Sequence, residues 1–221
     1  MIRKIFILSA CLLAAAPAGA AIVYSQTPHQ VNGLVSDFAE TAGLHQQADN
    51  FQLATGATLQ GIEFWGNIAN PSLPDDFIIR IFADAAGAPT STPLAQSQIA
   101  RLIRTPTGEF STAGNPVFAY VANFATPIAL AASTRYYLSV VNNTSDDSSW
   151  NWSRFDGTAD NARWHRAGDA ASTDPWLATT QDLAFVIYDT NVVPAPAPVA
   201  LIALGVFGLV RARRAQEAAV A

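Results

Sequence analysis

The sequence predicts a mainly β chain, an antiparallel β-sandwich of jelly-roll type, and three observations carry that prediction. Runs rich in β-branched and aromatic residues alternate between faces. Clusters of glycine, proline and asparagine punctuate those runs. No long segment carries the apolar period of an amphipathic helix.

The chain opens on a different device. Met1-Ile2-Arg3-Lys4 is basic, Ile5–Ala16 is apolar, and Pro17-Ala18-Gly19-Ala20 is built of small residues. That is the layout of a secretory signal peptide cut at the A-x-A site of Ala18 and Ala20. The apolar run is shorter than the roughly 20 residues a spanning helix needs. Leu8-Ser9-Ala10-Cys11 has the form of a lipoprotein cleavage site, but very little apolar sequence precedes it. Residues 1–20 are therefore read as a signal peptide and 21–191 as one domain. Cys11 leaves with the signal, so the exported domain has no disulfide and is held by its core, by ions, or by both.

Strands are expected from Leu59 to Trp65, from Asp76 to Asp84 and from Val117 to Phe124, then from Arg135 to Val141 and from Leu183 to Tyr188. Alternation puts Phe77, Ile79 and Ile81 on one face of the second run, and Tyr136, Leu138 and Val140 on one face of the fourth. Asn70-Pro71, Gly87-Ala88-Pro89, Thr107-Gly108, Asn115-Pro116 and Asp156-Gly157 mark turns between about eight or nine strands.

Four of the five tryptophans fall between 150 and 176. In a strand from Ser149 to Phe155, Trp150, Trp152 and Arg154 share a face; in one from Ala162 to Arg166, Trp164 and Arg166 do. A hairpin that sets Trp152 opposite Trp164 gathers indoles and guanidiniums on one side, with Trp176 close by in sequence. Exposed, that platform stacks on sugar rings; turned inward, the same residues are sandwich core. Asp146, Asp147, Asp156 and Asp160, with Asp169 and Asp174, surround them in loops. Such carboxylates suit calcium, which takes six to eight oxygen ligands, though the EF-hand spacing is missing and aspartate is an ordinary turn residue.

Catalytic patterns are sparse. His29, His45 and His165 form no metal-spaced pair, and neither G-x-S-x-G nor a Walker loop is present. Glu40 and His45, near Asp37 and Asp49, are the one polar cluster to locate in a structure. The chain carries 12 basic and 17 acidic residues. Arg3, Lys4, Arg211, Arg213, Arg214 and Glu217 belong to the ends, leaving seven basic against sixteen acidic in the middle, with no lysine. That sign is wrong for nucleic acid.

At the other end, Val193-Pro194-Ala195-Pro196 precedes an uninterrupted apolar run, Val199–Val210, and then Arg211, Arg213 and Arg214. As a helix the run is about 18 Å long, against about 30 Å of hydrocarbon. It makes a poor permanent span, although a single-pass anchor is the alternative. The order of proline signature, apolar stretch and arginine cluster resembles the PEP-CTERM sorting signal, with Ala195 where that family usually has glutamate. The resemblance implies a signal over 192–214, a tail over 215–221, and processing by an exosortase-like membrane enzyme. Ala48–Phe51, Gly61–Gly66, Asp76–Asp84, Tyr136–Asn143, Trp150–Trp152 and Asp182–Phe185 are similar in order to the β-sandwich domains of many PEP-CTERM proteins. That likeness implies a place and a fold, and no activity.

The expectation is therefore an exported surface or matrix protein, not an enzyme, that is briefly held at the inner membrane by its tail. It would bind exopolysaccharide or matrix proteins; a polysaccharide hydrolase and a purely structural component are the alternatives.

Overall fold

The computed structural model describes residues 21–29, 32–38, 45–72, 75–144, 149–157, 160–168, 172 and 174–190. The signal-peptide residues, the C-terminal signal, Glu40, Asp146, Asp147 and Asp169 lie outside these. No helix occurs among the described residues, so none is long and apolar enough to cross a membrane.

In chain order the strands are β1 (Ile22–Gln26), β2 (Gly33–Val35), β3 (His45–Gln52), β4 (Ala57–Ile68) and β5 (Asp76–Ala85). Next come β6 (Ala88–Pro89), β7 (Ala95–Ala100), β8 (Ile103–Phe110), β9 (Pro116–Leu130) and β10 (Arg135–Asn142). The last are β11 (Trp150–Phe155), β12 (Arg163–Ala167), β13 (Leu177–Thr179), β14 (Asp182–Leu183) and β15 (Phe185–Tyr188). Several are too short for their sequence to announce them, which is why eight or nine strands were expected and more are found.

Two antiparallel sheets result. One runs β8-β9-β4 and then forks, because β4 is long enough to pair with two strands end to end. β15 and β1 continue from Gly61–Phe64, while β11, flanked by β2 and β14, continues from Gly66–Ile68. The other sheet runs β13-β12-β3-β10-β5, with β6 and β7 side by side on the far edge of β5. Both predicted alternations hold: Phe77, Ile79 and Ile81 and Tyr136, Leu138 and Val140 point into the core between the sheets.

The opposite face of β5 is buried too. Ile78 packs with Phe38 and Val141, and Phe82 with Tyr137 and Trp164. Arg80, between them, lies 5.3 Å from the Phe38 ring centre and donates from Nε to Gln96 at 2.7 Å. Covering segments on the outside of the second sheet thus turn Phe77–Phe82 into a run that is buried on both faces.

Two buried aspartates tie the layers. Asp37 Oδ2 accepts from Trp150 N at 2.8 Å and Asn142 Nδ2 at 2.9 Å. Asp49 Oδ1 accepts from its neighbour Asn50 N at 2.8 Å, and Oδ2 from Leu183 N, across the sandwich, at 2.7 Å. The domain begins and ends at one place: Asp189 N donates to Ala21 O at 3.2 Å, where β1 pairs with β15.

Gly66 is required by a close approach. A Cβ there would sit 2.4 Å from the Trp150 indole. Gly66→Ala is therefore expected to lower the unfolding free energy by about 1–3 kcal/mol, the usual range for overpacking. Urea denaturation reads this directly, and an unshifted midpoint would mean that the indole is free to move aside.

Candidate functional site

The expected tryptophan hairpin does not form. β11 and β12 exist nearly where the sequence placed them, but they enter different sheets: β11 pairs with β4, β2 and β14, and β12 with β3 and β13. Trp152 therefore never faces Trp164. Trp150 and Trp152 are fully buried in the core with ring centres 6.4 Å apart, and Trp152 Nε1 donates to Ala184 O at 2.8 Å. Of the two readings of these indoles, the inner-face one describes them, and an exposed platform does not. The physical reason is that a large domain without disulfides needs bulky core residues, and alternation put both indoles on the inward face.

Trp164, Arg166 and Trp176 do come together, on the outside of the second sheet. Trp164 meets Tyr137 edge-on at 4.8 Å, and the Arg166 guanidinium lies 4.5 Å from the Trp176 ring centre. Arg166 is itself buried; it donates to Gln46 Oε1 at 2.7 Å and Ser91 O at 3.2 Å. Trp176 Nε1 donates to Thr90 O at 3.1 Å. These contacts bind the covering segments to the sheet and leave little of the group open. Arg154 is half-buried on β11, away from them.

Asp156 and Asp160 are exposed in loops. Among the described residues no three His, Cys, Asp or Glu side chains gather as a metal cluster. Of the Glu40–His45 cluster, Glu40 lies outside the described residues. His45 meets Asp37 through backbone hydrogen bonds, while the Asp37 carboxylate turns to Trp150 and Asn142.

A concave site among the described residues lies at a sheet edge that the sequence did not mark. β12 stops pairing with β3 at Asp49, so Asn50, Phe51 and Gln52 have no neighbour on that side. Tyr24 and Gln26, which share a face of β1 because strand side chains alternate, line the same gap. The cleft holds about 230 Å³ and is walled by Tyr24, Gln26, Asn50, Phe51, Gln52, Arg135 and Asp160. Tyr24 closes the edge of the sandwich: it stacks on Phe185 of one sheet at 5.4 Å and tilts on Phe51 of the other at 5.7 Å.

The loop bearing Asp160 is fixed by hydrogen bonds. Asn50 Nδ2 donates to Asp160 Oδ2 at 2.9 Å. Asp182 accepts from Asn161 N at 3.1 Å and from Ala162 N at 2.9 Å. Asn161 sits at φ 54°, a left-handed conformation that asparagine tolerates better than most residues. Burial pushes the Asp49 and Asp182 carboxyls up, and for both, the neighbouring negative charges add to the shift. Burial also pushes the Tyr24 phenol up, followed by the charges of Asp49, Asp182 and Asp160.

Two amide oxygens in this cleft are orphans. Gln26 is 3% exposed and its Oε1 has no hydrogen-bond partner, and Asn50 Oδ1 is likewise buried without one. Buried amide oxygens are rarely left so. An aromatic wall, three amides, a carboxylate and a guanidinium can together hold a polyhydroxylated ligand, with a ring face on Tyr24 and hydroxyls on the polar groups. Of these residues only Asp160 stood out in the sequence as a candidate for a site; Asn50, Phe51 and Arg135 stood there only as parts of β segments. The signal passed over was β3 itself, His-Gln-Gln-Ala-Asp-Asn-Phe-Gln, a strand too rich in amides to be only a core element.

A protein-family model described as Domain of unknown function (DUF7901) matches residues 22–188. No curated protein and no solved structure matches the chain.

Proposed function

The chain belongs to the family described as Domain of unknown function (DUF7901), and from the residues of that domain we propose a non-enzymatic, exported glycan-binding protein of the cell surface or extracellular matrix. In this reading the signal peptide directs export, and the PEP-CTERM-like tail holds the domain at the inner membrane until an exosortase-like enzyme processes it. The β-sandwich, jelly-roll-like in its alternation between sheets, then works among exopolysaccharide and matrix proteins. The observation that carries the binding role is the cleft of Tyr24, Gln26, Asn50, Gln52, Arg135 and Asp160, with its two unpartnered amide oxygens.

Co-sedimentation with insoluble exopolysaccharide tests it. The wild-type protein is expected in the pellet and Gln26→Leu in the supernatant. Gln26→Leu removes an amide oxygen that has no protein partner, so the thermal midpoint should hold or rise. Equal retention of both proteins would sink the assignment of binding to this cleft. A chelator arm tests the calcium expected at Asp146, Asp147, Asp156 and Asp160, since loss of retention there would assign it a role.

A further inference from the structure

The cleft wall holds a carboxylate, Asp160, which a neutral sugar does not need. Of the cations nearby, Arg163 is engaged elsewhere, its Nη1 donating to Gln47 Oε1 at 2.5 Å. Arg135 stands in the cleft wall itself.

Aspartates in a loop are by themselves only a loop. The independent observation is Gln26: nine-tenths buried and more, lining the cleft, with an acceptor that nothing in the protein satisfies. Asn50 Oδ1 adds a second acceptor of the same kind. The last torsion of an amide side chain is broad, so rotation brings the Gln26 oxygen to a ligand; for Asn50 the same rotation exchanges its hydrogen bond to Asp160 for one to the ligand. Acceptors beside the Asp160 carboxylate favour a donor that is itself charged, because charge-assisted hydrogen bonds are roughly twice as strong as neutral ones. The domain as a whole has the matching sign, with sixteen acidic residues against seven basic and no lysine.

We propose that the unit recognised in this cleft is an amino sugar with a free ammonium group, which donates to the Asp160 carboxylate and to the amide oxygens of Gln26 and Asn50. The inference rests on the glycan-binding reading and narrows it to one class of glycan.

Calorimetric titration of the full-length chain with a glucosamine tetramer and an N-acetylglucosamine tetramer, at mildly acidic pH where the amine is charged, tests it. The glucosamine tetramer should bind about tenfold tighter, the scale of one hydrogen bond to a charged group. Asp160→Asn should erase that difference. Glu109→Gln, which removes an equal charge from exposed β8, should leave it intact. Equal affinity for both tetramers overturns the ammonium requirement and leaves the glycan reading standing. Binding of neither tetramer overturns both, and equal losses in the two variants overturn the site by assigning attraction to overall charge.

Discussion

Trp150→Ala is expected to cost about 3–5 kcal/mol of folding free energy, the usual range for truncating a buried tryptophan. The indole is fully buried and touches four other rings. Phe77 lies at 5.0 Å, Phe64 at 5.9 Å, Tyr120 at 6.1 Å and Trp152 at 6.4 Å between centres. Phe64, Tyr120 and Trp152 come from one sheet and Phe77 from the other, so the loss opens a cavity at the seam between layers. A domain of this size has about 5–15 kcal/mol in total, so the variant sits near the limit of folding. Urea denaturation followed by far-UV circular dichroism measures it, with Trp176→Ala beside it. Trp176 is only half-buried and should cost clearly less. Equal midpoints for the two variants would contradict the placement of Trp150 at the centre of the core.

Asp49→Ala is the second large effect, about 2–5 kcal/mol, because it strands two buried backbone donors at once, Asn50 N and Leu183 N. Asp49→Asn keeps one acceptor and should cost less. The pH dependence has a definite sign. Burial raises the Asp49 carboxyl well above its ordinary value, with the charges of Asp182 and Asp160 adding to the shift, while the two backbone donors oppose it. A raised acid binds its proton in the folded state while the unfolded chain has already released it. Between the ordinary aspartate value and the raised one, folding therefore takes up a proton, and stability falls as pH rises. Asp182 acts in the same direction. Acidifying from neutral toward that window should raise the denaturation midpoint, and Asp49→Asn should flatten the slope. A midpoint that falls on mild acidification in the wild type, by an amount Asp49→Asn does not change, would count against the buried carboxyl.

What the sequence made legible was the part that alternation decides. β5 and β10 carry their inward residues at every second position, and Phe77, Ile79, Ile81, Tyr136, Leu138 and Val140 were assigned correctly on that ground alone. Pairing partners were not legible. Asp156-Gly157 between two tryptophan-bearing strands reads as a hairpin turn, yet the chain there crosses from one sheet to the other. Local sequence specifies the face of a strand, whereas its neighbour is chosen by packing far along the chain. The cleft fails to announce itself for the same reason. Tyr24, Asn50, Arg135 and Asp160 are brought together by β1, β3, β10 and a loop, and no short motif spans them.

The hydrogen bond between Asp189 and Ala21 has a mechanical meaning. Both ends of the domain leave from the same point, along antiparallel β1 and β15. Force that pulls the two ends apart loads the hydrogen bonds between these strands one after another, as in a zipper, so the pair peels at low tension. Under the proposed binding role, force applied at the C-terminal end against a ligand held at Gln26 passes from β15 to β1 and loads their hydrogen bonds together in shear. Force from the N-terminal end instead runs through the β1 backbone itself. The grip lies about 16 Å from the attachment point, one strand length at 3.2–3.4 Å per residue. A tether at either end therefore holds the cleft at the same distance and in the same orientation. On that proposal, a ligand at Gln26 is held against shear or covalent backbone, while pulling the two ends apart only peels the strand pair.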